Sequence, residues 1–184
     1  MFAKLPLAAE RFRMNKKKIE ITEYTDIITS ALKKGVFLTS KVGDKVNTMV
    51  IGWGHVGRIW ERPVFIAYIR DIRYTREMLD ANPEFTVNVP LNGFDKKTFT
   101  ICGTESGRNM DKIREAGLTP VPSDVISVPA IKEFPLTLEC RVIYREEQDA
   151  SRLPEDIRQQ FYTIETEDHI AYYGEIVSAY IIGD

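Results

Sequence analysis

The chain has 184 residues, of which 43% are hydrophobic and 28% are charged, and its formal net charge is −2. This length suffices for one globular domain with a substantial core, so we predict a single domain over residues 1–184. The slightly negative charge offers no basic excess for gripping nucleic acid. No apolar run approaches the roughly 20 residues of a membrane span, and the N-terminus lacks the apolar region of a signal peptide. The sequence therefore predicts a cytoplasmic protein with neither nucleic acid nor a membrane as partner.

The first predicted elements are an arm and a helix. Residues 1–20 show no clear periodicity and include a run of three lysines, which predicts a solvated N-terminal arm. Apolar residues then recur at helical spacing, and they predict an amphipathic helix with Thr22 as its N-cap and Gly35 as its stop signal.

A hairpin and a buried strand come next. Two segments, Val36 to Val42 and Lys45 to Gly52, are separated by a Gly-Asp pair and predict a β-hairpin. A loop with both tryptophans follows, and the nearly continuous apolar run from Val64 to Ile69 predicts a strand buried on both faces. We expect Trp60 and Phe65 to lie in the core, because aromatic residues at strand spacing usually do.

A basic corner follows this buried strand. Arg70 and Arg73 flank a turn that leads through Tyr74 and Thr75 into a short helix. Two guanidinium groups, hydroxyl groups and the N–H groups at a helix start suit a phosphate monoester. Trp53, further upstream, offers a flat aromatic wall. A phosphate clamp beside an aromatic wall is what flavin mononucleotide (FMN) requires, so we predict an FMN site here.

The rest of the chain predicts strands joined by short helices. The predicted strands cover residues 85–89, 136–144 and 169–182, and the predicted helices cover 76–81, 94–102, 110–116 and 149–161. Strands without regular alternation with helices predict a mainly β fold, an antiparallel barrel with helical additions. Cys102 and Cys140 are the only cysteines, form no CxxC pair, and are expected to be free thiols.

Five segments, taken in order, resemble one known family. They read N-T-M-V-I-G-W-G from Asn47, R-D-I-R-Y-T from Arg70, E-F-T-V-N-V-P from Glu84, C-G-T-E-S-G-R-N-M-D-K from Cys102 and H-I-A-Y-Y-G-E-I-V from His169. Together they resemble the flavin reductase-like family, whose members fold as FMN-binding split barrels and include the flavoredoxins. The resemblance covers about residues 34–179 and implies an antiparallel split barrel of the Greek-key type.

The resemblance also implies which residues bind the cofactor. These are Asn47, Thr48, Met49, Trp53, Arg70, Arg73, Tyr74, Thr75, Ser106, Lys112 and His169. On the residues alone, Asn47 would cap a strand edge and Lys112 would be a solvated helix residue. The resemblance implies instead that both side chains bind FMN. His169 is also the one catalytic candidate. A histidine with an ordinary pKa of about 6.5 would stabilise negative charge at a reduced flavin ring. Whether His169 transfers protons stays open.

The function implied by the resemblance is that of an FMN-dependent oxidoreductase. It would take electrons from NAD(P)H or a redox partner protein and pass them to free flavin or another acceptor, and it would usually be a homodimer. A flavoredoxin-like electron carrier and a non-catalytic FMN- or haem-binding module are the alternatives. The S-G-R-x-x-D-K loop argues against a pyridoxamine-phosphate oxidase-like protein. His55 and His169 lack partners at metal-ligand spacing, so no metal site is predicted.

Overall fold

Eight strands form one antiparallel sheet in the computed structural model, which describes residues 15–163 and 168–183. The strands of the fold are β1 (Lys16–Lys18), β2 (Val36–Val42), β3 (Lys45–Ile51), β4 (Gly54–Ile59), β5 (Arg62–Arg70), β6 (Glu84–Val89), β7 (Pro120–Val121), β8 (Ala130–Ile131), β9 (Leu136–Glu147) and β10 (His169–Ile182). The helices are α1 (Thr25–Leu32), α2 (Tyr74–Ala81), α3 (Lys96–Thr104), α4 (Lys112–Glu115) and α5 (Glu155–Phe161). The prediction of a mainly β, antiparallel fold with helical additions is confirmed.

The longest strand, β10, organises the sheet. The strand order is β3-β2-β6-β9-β10-β5-β4, and β1 pairs with the far end of β10. In the pairing of β10 with β5, His169 lies directly opposite Arg70. Directly opposite residues place their side chains on the same face of a sheet. The register therefore brings the histidine to the start of the basic corner.

The main core lies against the inner face of the sheet and under α1. Ile28 is fully buried on α1, and Leu32 packs beside it. A second cluster forms around Phe37, whose ring stacks on Phe134 with 3.8 Å between centroids. Phe65 is fully buried, as expected.

The segment expected to be a loop with two tryptophans is an edge strand, β4, and a tight turn. Only Val56 of β4 packs against the core, so the strand lacks the apolar alternation that would reveal it. The turn has Trp60 and Glu61 at φ values of 51° and 58°, a left-handed pair that glycine or asparagine usually marks. The Trp60 side chain is 53% exposed, so the expectation of a core position is wrong.

The N-terminal arm expected over residues 1–20 falls in two parts. Residues 1–14 lie outside the described residues. The basic run forms β1, and Lys16 and Lys18 each pair with Asp124 at 2.7 Å. This part is a strand of the sheet rather than a solvated arm, because antiparallel pairing with β10 satisfies its backbone.

Helix α1 begins later than its N-cap signal suggested. Thr22 lies within a 3₁₀ turn over Ile21–Glu23, and Tyr24 occupies the N-cap position without a side-chain hydrogen bond. The stop signal is confirmed, since Gly35 has a φ of 102°. Both cysteines are buried free thiols, as expected. Across the ranges described, no helix is long and apolar enough to cross a membrane.

Candidate functional site

A small polar cavity lies where β3, the start of α2 and the loop before α4 meet. Its volume is about 110 Å³. The predicted site residues that line it are Asn47, Met49, Arg73, Tyr74, Thr75, Ser106 and Lys112. A water molecule has a share of about 30 Å³ in the liquid. The cavity, which we call the Lys112 cavity, is thus large enough for a phosphate-sized group and too small for a flavin ring.

Asn47 forms one wall of the Lys112 cavity. Its side chain is 2% exposed, and Nδ2 donates a hydrogen bond to Thr75 Oγ1 at 3.1 Å. Its Oδ1 is buried and has no hydrogen-bond partner among the described residues. Gly107 packs against this oxygen, with no room for a side chain. A buried acceptor left unpaired costs about 1–3 kcal/mol, so Oδ1 is suited to an N–H or O–H group brought by a ligand.

Lys112 places a cation in the same cavity. The residue is 4% exposed, and Nζ donates to Thr48 O at 3.1 Å and to Cys102 O at 3.0 Å. Burial lowers its pKa to about 8, and the charge of Arg73 adds to this effect. Within residues 15–163 and 168–183, Lys112 forms no salt bridge. An ammonium group has three donors, so one remains for an anion.

Thr48 contributes through its backbone. Its side chain is fully buried, and Oγ1 donates to Leu38 O at 3.3 Å rather than lining the cavity. Its carbonyl oxygen is what holds Lys112. The structure therefore places Thr48 as the support of a neighbouring group, and the alternation of side chains along β3 explains why it differs from Asn47 and Met49.

A second group of residues forms an aromatic cluster around Trp53. The cluster consists of Trp53, Phe161, Tyr162 and His169. The Trp53 ring lies 4.6 Å from the His169 ring and 5.3 Å from the Phe161 ring, and Tyr162 meets His169 edge-on at 5.4 Å. Arg70 joins this cluster, because its Nη2 donates to Phe161 O at 3.0 Å.

The two arginines predicted to clamp one phosphate are placed differently. Arg73 lines the Lys112 cavity, whereas Arg70 lies across from His169 and binds the chain at Phe161. Arg73 acts on both places, since its positive charge helps to lower the pKa of Lys112 and the pKa of His169. Arg73 N also donates to Arg70 O at 3.0 Å, so one tight turn joins the wall of the Lys112 cavity to the aromatic cluster.

His169 is held as a neutral imidazole. It is 6% exposed, and burial, followed by the charges of Arg70 and Arg73, lowers its pKa to about 4. The expected stabilisation of negative charge by His169 would require an imidazolium, which these surroundings disfavour near neutral pH. The guanidinium groups of the two arginines supply the positive charge instead.

Three residues near these groups were not foreseen from the sequence. Phe161 and Tyr162 complete the aromatic cluster, and an aromatic pair at the end of a predicted helix was the only available signal. Arg108 lines the Lys112 cavity and lies 5.4 Å from the centre of the Tyr74 ring. Its place in the S-G-R-x-x-D-K loop was the signal that could have found it.

No metal centre emerges from the part of the chain that the structure describes, where no group of three or more His, Cys, Asp or Glu is arranged to hold an ion. His55 is exposed and packs edge-on against Tyr68, with 5.5 Å between ring centroids. Glu175 pairs with Arg62 at 2.6 Å, which is a structural role.

Comparison with known sequences identifies a family. A model described as the flavin reductase like domain matches residues 30–184. An uncharacterized protein from Archaeoglobus fulgidus is 33% identical over 134 residues, which cover 73% of this chain and 64% of that protein. The chain thus spans less than two thirds of the length of this relative.

Comparison with solved structures identifies the fold. The crystal structure of an FMN-binding domain of a flavin reductases-like enzyme from Shewanella baltica is similar with a TM-score of 0.65 and 15% identity, over 94% of this chain and 80% of that one. A flavoredoxin from Methanosarcina acetivorans is similar with a TM-score of 0.61 and 28% identity, over 80% of this chain and 67% of that one. The split-barrel fold implied by the sequence is confirmed.

Proposed function

The chain belongs to the flavin reductase-like family, and on that premise we propose that it is an FMN-binding oxidoreductase. It takes electrons from NAD(P)H or a redox partner protein and passes them to free flavin or another acceptor. One observation supports this most: a buried cation, Lys112, and an unpaired amide oxygen, that of Asn47, share a cavity that the Arg70–Arg73 turn joins to the Trp53 cluster. The cation suits an anionic group, the amide oxygen suits a ligand N–H or O–H group, and the aromatic cluster suits a ring.

The residues of the Lys112 cavity fit the phosphate end of FMN. Lys112 and Arg73 supply cationic donors, and Thr75 and Ser106 supply hydroxyl groups. Helix α2 begins at the cavity wall, so its first N–H groups favour an anion there. Charge-assisted hydrogen bonds of this kind are roughly twice as strong as neutral ones.

The aromatic cluster fits the flavin ring. Trp53 is 39% exposed, so it offers a partly open aromatic face beside Phe161 and Tyr162. When bound, FMN supplies the hydride and one-electron chemistry. The protein side chains orient the ring, limit the access of water and keep the positive charges of Arg70 and Arg73 nearby. A neutral His169 takes part as a hydrogen-bonding group rather than as an acid.

Anaerobic reduction tests this proposal. The purified chain is loaded with FMN and mixed with NADH and NADPH separately, while the absorbance of the oxidised flavin is followed. Bleaching with one nicotinamide supports the reductase and identifies its donor. FMN that stays bound without bleaching supports a flavoredoxin-like carrier, for which the 28% identity to a flavoredoxin is the favouring observation. A chain that fails to bind FMN contradicts the proposal, and a haem absorbance band would favour the haem-binding alternative.

The same family membership leads us to propose a homodimer. An exposed aromatic group supports an apolar contact of this kind: Trp60 is 53% exposed and Tyr144 is 45% exposed, with 5.8 Å between their rings. Sedimentation equilibrium measures the assembly state directly. A chain that remains monomeric at micromolar concentrations would contradict the proposed dimer without affecting the proposed chemistry.

A further inference from the structure

A polar cleft borders His169. The cleft has a volume of about 540 Å³, and Asp71, Asp80, Arg145, Asp168 and His169 are among the residues that line it. Two of these residues carry a buried side-chain atom that has no hydrogen-bond partner among the described residues, namely Asp71 Oδ1 and His169 Nδ1. A buried carboxylate oxygen and a buried imidazole nitrogen normally have hydrogen-bond partners. Two such atoms without partners on residues of one cleft therefore suggest that they complement each other.

The cationic donors of the cleft are already engaged by carboxylates. Arg145 pairs with Asp80 at 3.3 Å and with Glu147 at 2.8 Å. Arg76 pairs with Asp80 at 3.1 Å and donates to the backbone oxygen of Asp71. Asp71 Oδ1 is an acceptor without a partner among the described residues of the same cleft, so it can complement His169 Nδ1 when that nitrogen carries the hydrogen.

The backbone places Asp71 next to His169. Arg70 is directly opposite His169 in the pairing of β5 with β10, and Asp71 follows it in the chain. The Asp71 amide donates a hydrogen bond to Asp168 O at 3.1 Å. This bond continues the β5–β10 pairing by one residue beyond Arg70 and His169. The Asp71 carboxylate is also close enough to raise the pKa of His169, although burial and the two arginines outweigh it.

Other charged or titratable groups also surround the His169 imidazole. Arg70 and Arg73 oppose a positive ring, and Tyr162 meets the ring edge-on. Asp168 precedes His169 in the chain, and burial, followed by the charge of Asp168, raises the pKa of Tyr162. Because the ring is neutral, only one of its nitrogens carries a hydrogen, and the hydrogen bond of one nitrogen decides the state of the other.

We propose that Asp71 is a positioning residue for His169: its Oδ1 accepts the Nδ1–H hydrogen after a small rotation of the two side chains and so leaves Nε2 unprotonated. The inference rests on the proposed function, since it gives His169 its role toward a flavin. With Nε2 unprotonated, His169 accepts a hydrogen bond from a ligand N–H or O–H and has no proton to donate from that atom.

Imidazole ¹⁵N NMR of the ligand-free chain at pH 7 tests the tautomer directly. The sequence has two histidines, and exposed His55 serves as an internal reference that a His55→Gln variant assigns. We expect His169 to carry its hydrogen on Nδ1. In Asp71→Ala the acceptor is gone, and the resonances should move toward the Nε2–H tautomer that free imidazole side chains prefer. Asp168→Ala is the matched control, because it removes a carboxylate from the same cleft and should leave the tautomer unchanged.

Two results would overturn the inference. One is a wild-type His169 already protonated on Nε2, which needs no variant to observe. The other is the same tautomer in wild type and Asp71→Ala. A fluorescence titration of the wild-type chain with FMN separates this inference from the proposed function. A chain that fails to bind FMN but keeps an Asp71-dependent Nδ1–H tautomer contradicts only the function.

Discussion

Gly107 and Asn47 approach each other so closely that a Cβ atom on residue 107 would stand 2.1 Å from Asn47 Oδ1. This added Cβ atom would also stand 3.1 Å from Tyr74 Cδ1. Asn47 cannot easily withdraw, because it is 2% exposed and bound through Nδ2 to Thr75. A glycine of one loop and an amide of one strand therefore define the cavity wall together.

Replacing Gly107 by alanine should displace the Asn47 amide and damage the cavity. We expect FMN binding to weaken by about 1–3 kcal/mol, the usual cost of a broken buried polar contact, and the melting temperature to fall. A fluorescence titration and a thermal melt measure the two effects. Gly57→Ala is the matched control, because nothing lies within 4 Å of the Cβ it would add. FMN affinity unchanged in Gly107→Ala would show that this cavity is not where FMN binds.

The separate positions of the two arginines predict separate effects. Arg73→Ala should weaken FMN binding by about 1.5–3 kcal/mol, roughly 10- to 150-fold, because it removes a charged donor from the cavity. Arg76→Ala is the matched control, since Arg76 lies one helical turn further on and pairs with Asp80. Isothermal titration with FMN measures each affinity. Equal losses in both variants would point to a general effect of positive charge rather than to a phosphate contact.

Much of the Lys112 cavity was accessible from the sequence. The β2–β3 hairpin was signalled by its Gly-Asp turn, and it carries Asn47 and Met49. The short helix after the basic corner was signalled from Arg76 and begins two residues earlier, at Tyr74, and the loop before Lys112 was signalled by its motif. These features are local, so short stretches of sequence contain the information that determines them.

The division between Arg70 and Arg73 was not accessible in the same way. Arg70 ends β5 and keeps its strand geometry opposite His169, whereas Arg73 is the N-cap of α2, with a φ of −71° and a ψ of 137°. The direction of the turn between them decides which arginine reaches the cavity. Phe161 and Tyr162 depend likewise on long-range contacts with Trp53, and no spacing rule connects residues so far apart in the chain.

The pKa of Lys112 predicts how FMN affinity depends on pH. In the free chain this pKa is lowered to about 8, so the ammonium group is charged below that pH and loses its proton above it. The second pKa of a phosphate monoester is about 6, so the phosphate group of FMN stays a dianion above pH 7. We therefore expect FMN affinity to fall as the pH rises from 8 toward 10, because a neutral amine no longer attracts the dianion.

Two lysine variants separate this effect from a general loss of charge. Lys112→Met should bind FMN more weakly at pH 7 and show a flat profile. Lys45→Met should keep the wild-type profile, because Lys45 is exposed and lies 4.7 Å from the centre of the Tyr74 ring, outside the Lys112 cavity. The Cys102 thiol does not interfere, since burial raises its pKa to about 11. A wild-type profile that stays flat between pH 7 and 10 would contradict the assignment.

The lowered pKa of His169 predicts a loss of stability in mild acid. Its folded pKa is about 4, below the ordinary value of about 6.5. Between these two values the unfolded chain binds the extra proton, so the free energy of unfolding decreases as the pH falls. This decrease in the free energy of unfolding is absent above about pH 6.5 and complete below about pH 4. From pH 7 to pH 5 this one group should remove about 2 kcal/mol from the free energy of unfolding.

Urea unfolding of two histidine variants isolates that contribution. His169→Gln should lose about 2 kcal/mol less than the wild-type chain between pH 7 and pH 5, because glutamine does not titrate. His55→Gln removes the other histidine, which is exposed and outside the aromatic cluster, and should follow the wild-type chain. If His169→Gln loses as much stability as the wild type over this range, the imidazole is not held neutral by burial and by the two arginines. The positive charge at the aromatic cluster would then belong to His169 as well.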